Sequence, residues 1–356
     1  MSKESTKEKD EKEKEEKEKE EKEKEEKEKE AKLKNIIENN QLKYIRLIGE
    51  GAYGAVVEVE KNKKIFAVKI ILYNSKKKRL KTEEVKNFRG KNIVKIVQEK
   101  QPQQKSENVS YDEKDYYCYV MECSFIGSLY DFNKFINAKL IFKEPFLEKF
   151  GDNLTRFFVL QMVTALKTLY LGNLVHFDIK PDNMLIRKGL DLKLIDFSFL
   201  KQFTPGKKGN IPGGTPGYIT PEYYKNMEFD FETLQKQDYF ALGMTIFYMK
   251  YGIESLDDFS IKKEYNSDSK SMIIIDSIKK AMNRIQTQKF QDKDFDKFLC
   301  NLIQFKPEDR LNFEQIVRNK WLNKNTQEIE KIIDINESDE DNMVLELQKS
   351  DFLIAV

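Results

Sequence analysis

β-branched and aromatic residues gather in three short runs, Tyr44–Ile48, Ala55–Val59 and Ile65–Ile71, split by glycines and an Asn-Lys pair. Such runs between turn residues predict three antiparallel strands. Lys76–Phe88 reads as a helix, and Ile93–Gln98 and Tyr116–Met121 read as two further strands. The polar stretch Lys100–Lys114 between them reads as a long hairpin loop. After Gly127 the apolar spacing changes to three and four, most clearly over Leu154–Leu171, which predicts a long buried helix. Two short strands follow, Asn183–Arg187 and Asp191–Leu194, and then an irregular Gly/Pro-rich loop over Thr204–Pro221. Asp238–Tyr251 reads as a core helix, with further helices over Phe295–Phe305 and Asn312–Trp321. The pattern is thus a small, mostly β part followed by a larger helical one.

The first 34 residues break this pattern. They are almost entirely Lys and Glu, with EKEKEEKEKE occurring twice from Glu11 to Glu30. Many glutamates stand four before a lysine, which supports a helix. With no apolar stripe the run is no coiled-coil seam. It is expected to be a solvated single helix, disordered, or a mixture, without packing on the rest, and a spacer rather than a docking arm. Its deletion is expected to leave catalysis intact. This run also explains the high charged fraction of 35% in a chain whose net charge is only +2. That balance argues against nucleic-acid binding. Three irregularly spaced cysteines and one histidine fit neither a disulfide framework nor a zinc site. No apolar run is long enough for a bilayer and no signal peptide opens the chain, so a cytoplasmic protein is expected, with the nucleus as the alternative.

Candidate chemistry begins at Gly49-Glu50-Gly51-Ala52-Tyr53-Gly54, followed by Val56, between two predicted strands. Glycines allow a sharp turn and let backbone N–H groups approach phosphates. A dinucleotide-binding turn would lead into a helix, and here a strand comes next. Thirteen residues after Val56, Lys69 interrupts the apolar run Phe66–Ile70. A lysine aimed inward there needs an anionic partner. In this order the glycine loop and the Ala67-Val68-Lys69 strand resemble the eukaryotic protein kinase family. The resemblance implies a helix glutamate paired with Lys69. Both Glu83 and Glu84 qualify, and Glu84 is preferred because Phe88 stands four residues after it.

The resemblance continues through His176-Phe177-Asp178-Ile179-Lys180-Pro181-Asp182-Asn183, which matches the family's H-R-D-x-K-x-x-N except at Phe177. It implies that Asp178 orients the substrate hydroxyl and accepts its proton, that Lys180 neutralises the transferring phosphoryl group, and that Asn183 holds a magnesium ion. Asp196, in Asp196-Phe197-Ser198, resembles the family's aspartate that binds the magnesium bridging the β and γ phosphates, Asn183 being implied to hold a second one, with Ser198 in place of glycine. His176 is expected to be structural. Gly214–Glu222 resembles the family's segment ending, and Glu222 is expected to pair with Arg310. Asp238, opening its helix, is expected to cap the catalytic loop from below.

The resemblance implies an α+β, bilobal protein kinase fold. A small antiparallel N-lobe with one helix spans 41–121, a hinge 122–127, and a larger helical C-lobe 128–322. A Lys/Glu arm, 1–40, precedes it and an acidic tail, 323–356, comes after it. ATP is expected near the hinge, with Ile48, Val56, Ala67, Met121 and Leu185 around adenine and the backbone of Glu122 and Ser124 bonding it. The implied activity is transfer from Mg-ATP to Ser/Thr hydroxyls of protein substrates by a monomer that binds neither nucleic acid nor membrane. Lys180 with Pro181, and Thr215, place it with the serine/threonine branch. Phe177 stands where most members carry an arginine that meets an activation-loop phosphate, so phosphorylation there is expected to be dispensable. A pseudokinase scaffold and a small-molecule kinase are the rival readings. The filled positions Lys69, Asp178, Asn183 and Asp196 oppose the first, and Gly214–Glu222 opposes the second.

Overall fold

The computed structural model describes residues 4–51, 54–72, 91–100, 116–123, 125–134, 151–204, 206–225, 227–251 and 292–324, with a few single residues between 272 and 283. The chain divides into two compact units, the first from residues 1–77 and 96–123 and the second from residues 78–95 and most of the chain after Cys123.

In the first unit, α1 (Glu4–Asn39) leads into β1 (Lys43–Gly51), β2 (Gly54–Lys61), β3 (Lys64–Leu72), β4 (Ile96–Lys100) and β5 (Tyr116–Glu122). The strands form one antiparallel sheet in the order β1-β2-β3-β5-β4. Asn62 and Lys63 close the β2–β3 hairpin with φ of 53° and 62°. Two positive φ values give a type I′ turn, whose twist matches the strands. Alternation then divides the sheet. Val56, Ala67, Lys69 and Met121 share one face. Ala55, Val57, Val59, Val68, Ile70, Cys118 and Val120 share the other, which is buried.

That buried face is covered by α1, and here the expectation of an unpacked arm is corrected. Leu33 and Ile37 are buried in the sheet's core, with Ile36 packed beside them. Their spacing of three and four places them on one helix face. The helix ends in a Schellman turn. Leu42 N–H donates to Ile37 O at 3.2 Å and Gln41 N–H to Glu38 O at 2.9 Å, with Gln41 at φ 60°. Leu42 and Ile37, the apolar pair of that motif, both lie in the core.

In the second unit, β6 (Phe125–Ser128), β8 (Met184–Arg187) and β9 (Asp191–Leu194) form one antiparallel sheet, and β7 (Leu174–Val175) pairs with β10 (Lys201–Gln202). Among the described residues its helices include α2 (Gly151–Leu171), α3 (Phe231–Tyr251), α4 (Lys293–Leu302) and the short α5 (Phe313–Val317). Phe158, Met162 and Leu166 of α2 and Phe240, Met244 and Phe247 of α3 are buried. A Cβ at Gly243 would lie 2.7 Å from the Ile303 side chain, so the glycine lets α3 approach the end of α4. Trp321 packs on Phe295 and Phe298 at 4.9 and 5.4 Å.

Several boundaries differ from expectation. α3 starts at Phe231, so Asp238 lies inside it rather than opening it. Asp230 caps the true start, accepting from Thr233 N–H at 2.8 Å. β4 begins at Ile96 and not Ile93, because Asn92 and Val94 are bonded to Leu192 and Leu194 of the second unit. Asn183 sits in a 3₁₀ turn before β8. α4 stops at Leu302, and α5 ends after five residues. The helix expected over Lys76–Phe88, the loop beyond Lys100 and the tail beyond Lys324 lie outside the described residues. Among the described residues, no helix is long and apolar enough to cross a membrane.

Candidate active site

The catalytic loop is held from beneath by α3. Both oxygens of the buried Asp238 accept backbone N–H groups, from His176 at 2.7 Å and from Phe177 at 2.8 Å. Burial pushes the Asp238 carboxyl up to about 7, against the lowering effect of those two bonds. Phe177 has φ 65°. A non-glycine residue there costs about 1–3 kcal/mol and persists only where its surroundings enforce it. The Asp238 bond is one such constraint. The other is an apolar cluster in which Phe177, Val175, Ile211 and Leu234 are buried, with Phe203 and Phe231 packed against them. Phe177 is therefore a core residue.

His176 is fully buried. Its Nδ1 faces the Asp178 N–H at 3.3 Å and must accept, which leaves Nε2–H to donate to Ile195 O at 3.0 Å. The ring also stands edge-on to Phe197, 5.6 Å between centroids. This is the structural role expected of it.

These supports fix Asp178. Asn183 Nδ2 donates to its Oδ2 at 2.9 Å and to its backbone oxygen at 2.7 Å. Thr215 Oγ1 donates to its Oδ1 at 2.6 Å, and Lys180 Nζ donates to Thr215 Oγ1 at 2.8 Å while lying 3.6 Å from Asp178 Oδ2. An ammonium and a hydroxyl thus converge on the buried Asp178 carboxylate. Thr215 enters this network directly, whereas its sequence context suggested only a substrate branch.

Asp196 adopts a left-handed conformation, φ 59° and ψ 79°. Its Oδ1 accepts from Ser198 N–H at 3.2 Å and from the Ser198 hydroxyl. Ser198 therefore ties down the carboxylate. Among the described residues no cluster of three or more His, Cys, Asp or Glu could enclose a metal ion. The donor chemistry nevertheless fits magnesium, which is commonly held by one or two protein oxygens plus substrate phosphates. With the Asn183 amide nitrogen committed to Asp178, its oxygen is the atom left to face a cation, and Asp196 supplies a carboxylate.

The segment after Asp196 is fastened at several points. Phe203 N–H donates to Asn173 O at 2.9 Å, and the Phe203 ring meets Phe177 at 6.1 Å between centroids. Gly214 has φ 151°, and a Cβ there would lie 2.6 Å from Phe177 O. Gln237 of α3 accepts from Thr220 N–H at 3.0 Å and donates to Tyr218 O at 2.9 Å. Glu222 and Arg310 form the expected buried pair at 2.8 Å. Arg310 also donates to Gln304 O and Phe305 O and lies over the Phe240 ring, which satisfies the guanidinium in its buried place.

The first unit gathers the other expected residues. Gly49 pairs with Val56, Glu50 with Ala55 and Gly51 with Gly54 across the β1–β2 hairpin. Val56 stands opposite Lys69, and Ala67 opposite Met121. Ile48 precedes the hairpin end on β1, and Glu122 ends β5. Leu185 is buried on β8 of the second unit. Ala52, Tyr53, Ser124, Glu83 and Glu84 lie outside the described residues, and with them the helix partner of Lys69.

A family model described as protein kinase domain matches residues 42–322. The Serine/threonine-protein kinase MRCK beta of Rattus norvegicus is 29% identical over 221 residues, 61% of this chain and 12% of its own length. The Serine/threonine-protein kinase sgk-1 of Caenorhabditis elegans is 29% identical over 218 residues, covering 60% of this chain and 43% of its own. Serine/threonine-protein kinase Genghis Khan of Drosophila melanogaster is 29% identical over 227 residues, 61% of this chain and 13% of its own length. The match therefore spans less than half of each relative. Since the matched range takes in both the five-stranded sheet and the loop around Asp178, the chain belongs to the protein kinase domain family.

Proposed function

We propose that this chain is a serine/threonine protein kinase that transfers the γ-phosphoryl group of Mg-ATP to hydroxyls of protein substrates. The observation that carries this reading is the Asp178 carboxylate, fixed by Asn183 and Thr215 beside Lys180. A substrate hydroxyl placed against Asp178 would be aligned by the carboxylate and would give up its proton there as its oxygen bonds phosphorus. The bond to ADP breaks in the same transfer, and Lys180 offsets negative charge on the moving group. Bound magnesium would add positive charge at the phosphates, and Asn183 and Asp196 are the residues that would hold it. Lys69 and the Gly49–Gly54 loop would hold the phosphates, while Ile48, Val56, Ala67, Met121, Glu122, Ser124 and Leu185 would surround adenine. Lys180 and Thr215 support the serine/threonine assignment, as do the names of the relatives. Three free cysteines suit a reducing compartment such as the cytoplasm.

The proposal includes activity without phosphorylation of the segment after Asp196. In place of a phosphate–arginine pair, Phe177, Phe203 and Ile211 hold that segment by burial.

The test is phosphate transfer from Mg-ATP to a generic Ser/Thr protein substrate by wild type and Asp178→Asn. Wild-type transfer that falls by about 10²-fold or more in the variant supports the reading. Folded wild-type protein that binds Mg-ATP yet modifies none of a broad peptide library favours a scaffold instead.

A further inference from the structure

We infer that α1 is a positioning element for the phosphate loop, acting through a Lys29–Glu50 ion pair. This rests on the kinase reading of that loop. Glu50 is the one side chain between Gly49 and Gly51. The flanking glycines offer no side chain for a neighbour to hold, so Glu50 is the side-chain handle at this point of the strand. Lys29 Nζ pairs with Glu50 Oε1. One residue along, Glu30 accepts a hydrogen bond from the Tyr44 hydroxyl at 2.7 Å, at the other end of β1. Burial, then the Glu30 bond, raise the Tyr44 pKa, so the phenol keeps its proton. One turn of α1 therefore grips both ends of the strand that leads into the loop. Leu33 and Ile37 anchor that turn by burial in the core behind β2, β3 and β5.

The pair has two effects on a bound nucleotide. It fixes the start of the hairpin whose backbone would face the phosphates. It also neutralises a carboxylate that would otherwise repel them. With side-chain exposures of 51% and 38%, the pair adds little to global stability. Its effect is local, in nucleotide affinity, and it is screened by salt. Lys29 lies outside the residues proposed to hold nucleotide or carry transfer, so Lys29→Glu is expected to leave turnover at saturating nucleotide unchanged.

The test is Mg-ADP affinity of the full chain, measured by calorimetry at low and high salt, with thermal unfolding in parallel. Lys29→Glu is expected to weaken binding by about threefold to tenfold at low salt, with a smaller effect at high salt and an unchanged melting temperature. The charge swap, Lys29→Glu with Glu50→Lys, is expected to restore binding to within about twofold of wild type, since the pair re-forms. Lys34→Glu, on the same helix but away from the loop, is expected to leave affinity unchanged. Unchanged affinity in Lys29→Glu, or a swap that fails to restore it, overturns the inference while wild-type binding leaves the kinase reading standing. Wild-type protein that binds no Mg-ADP overturns both.

Discussion

Asp178 and Glu50 are carboxylates on the two loops that the proposed function singles out, and the protein holds them by different means. Asp178 is buried and bonded by Asn183 and Thr215, with Lys180 close by. Glu50 is more than a third exposed and meets Lys29 on a helix surface. Under the proposed function, the difference tracks the task of each loop. A group that takes a proton needs fixed direction, and low dielectric with complete pairing supplies it. A loop that admits and releases a nucleotide needs to move, and exposed charge pairs constrain it weakly.

If that contrast is right, damage should scale with burial. Glu222→Ala is expected to have the largest effect, about 3–5 kcal/mol of stability, because Arg310 would be left buried without its counter-charge. Chemical denaturation checks this, and a loss below about 1 kcal/mol would break the comparison. Next comes Phe177→Arg, which places a charge where the chain carries a buried aromatic ring. A guanidinium would have to enter the apolar cluster of Val175, Ile211 and Leu234, so about 3 kcal/mol is expected to be lost. A stable Phe177→Arg protein would show that the cluster is not what holds this loop.

A smaller effect is expected from pH. The Asp238 pKa is raised to about 7 in the fold, from about 3.9 when unfolded. A carboxyl shifted upward contributes stability below the unfolded value and loses it as pH rises through about 7. Its two backbone bonds, however, need both oxygens as acceptors. Acidification from about pH 8 to about 6 should therefore lower phosphate transfer while this group favours the folded state. In Asp238→Asn, which cannot ionise, transfer should be reduced at all pH values, and the pH-dependent difference from wild type should disappear. The smallest effect is expected at the exposed Thr204. Thr204→Ala should leave turnover within about twofold, and a loss beyond about tenfold would show that a phosphate there matters after all.

These tests bear on features that the sequence disclosed unevenly. The strands were legible because Val57, Val59, Val68 and Ile70 sit between strong turn residues. Asp178, Lys180 and Asn183 were legible because one tight loop keeps them close in sequence and in space. Asp196 was singled out by its own short motif, and its magnesium role belongs to the proposed function. The start of α3 was hidden because Gln235, Lys236 and Gln237 look like a polar linker. They are buried all the same, and Gln237 is satisfied by Thr220 and Tyr218. Asp230 was the available signal, as a capping residue before Phe231. The docking of α1 was hidden for the opposite reason. Leu33, Ile36 and Ile37 have helical spacing, but they come after so many lysines and glutamates that the run's average concealed its last turns.

The chain's single histidine has a practical consequence. Because His176 bonds through both ring nitrogens to the loop of Asp178 and to the carbonyl preceding Asp196, its imidazole ¹⁵N resonances form one uncrowded spectrum. Nitrogen shifts separate the Nε2–H tautomer from its alternatives, so this ring is a built-in spectroscopic reporter. Nucleotide addition, acidification or substitution at Ser198 can each be followed there, without a label on any residue that takes part in transfer.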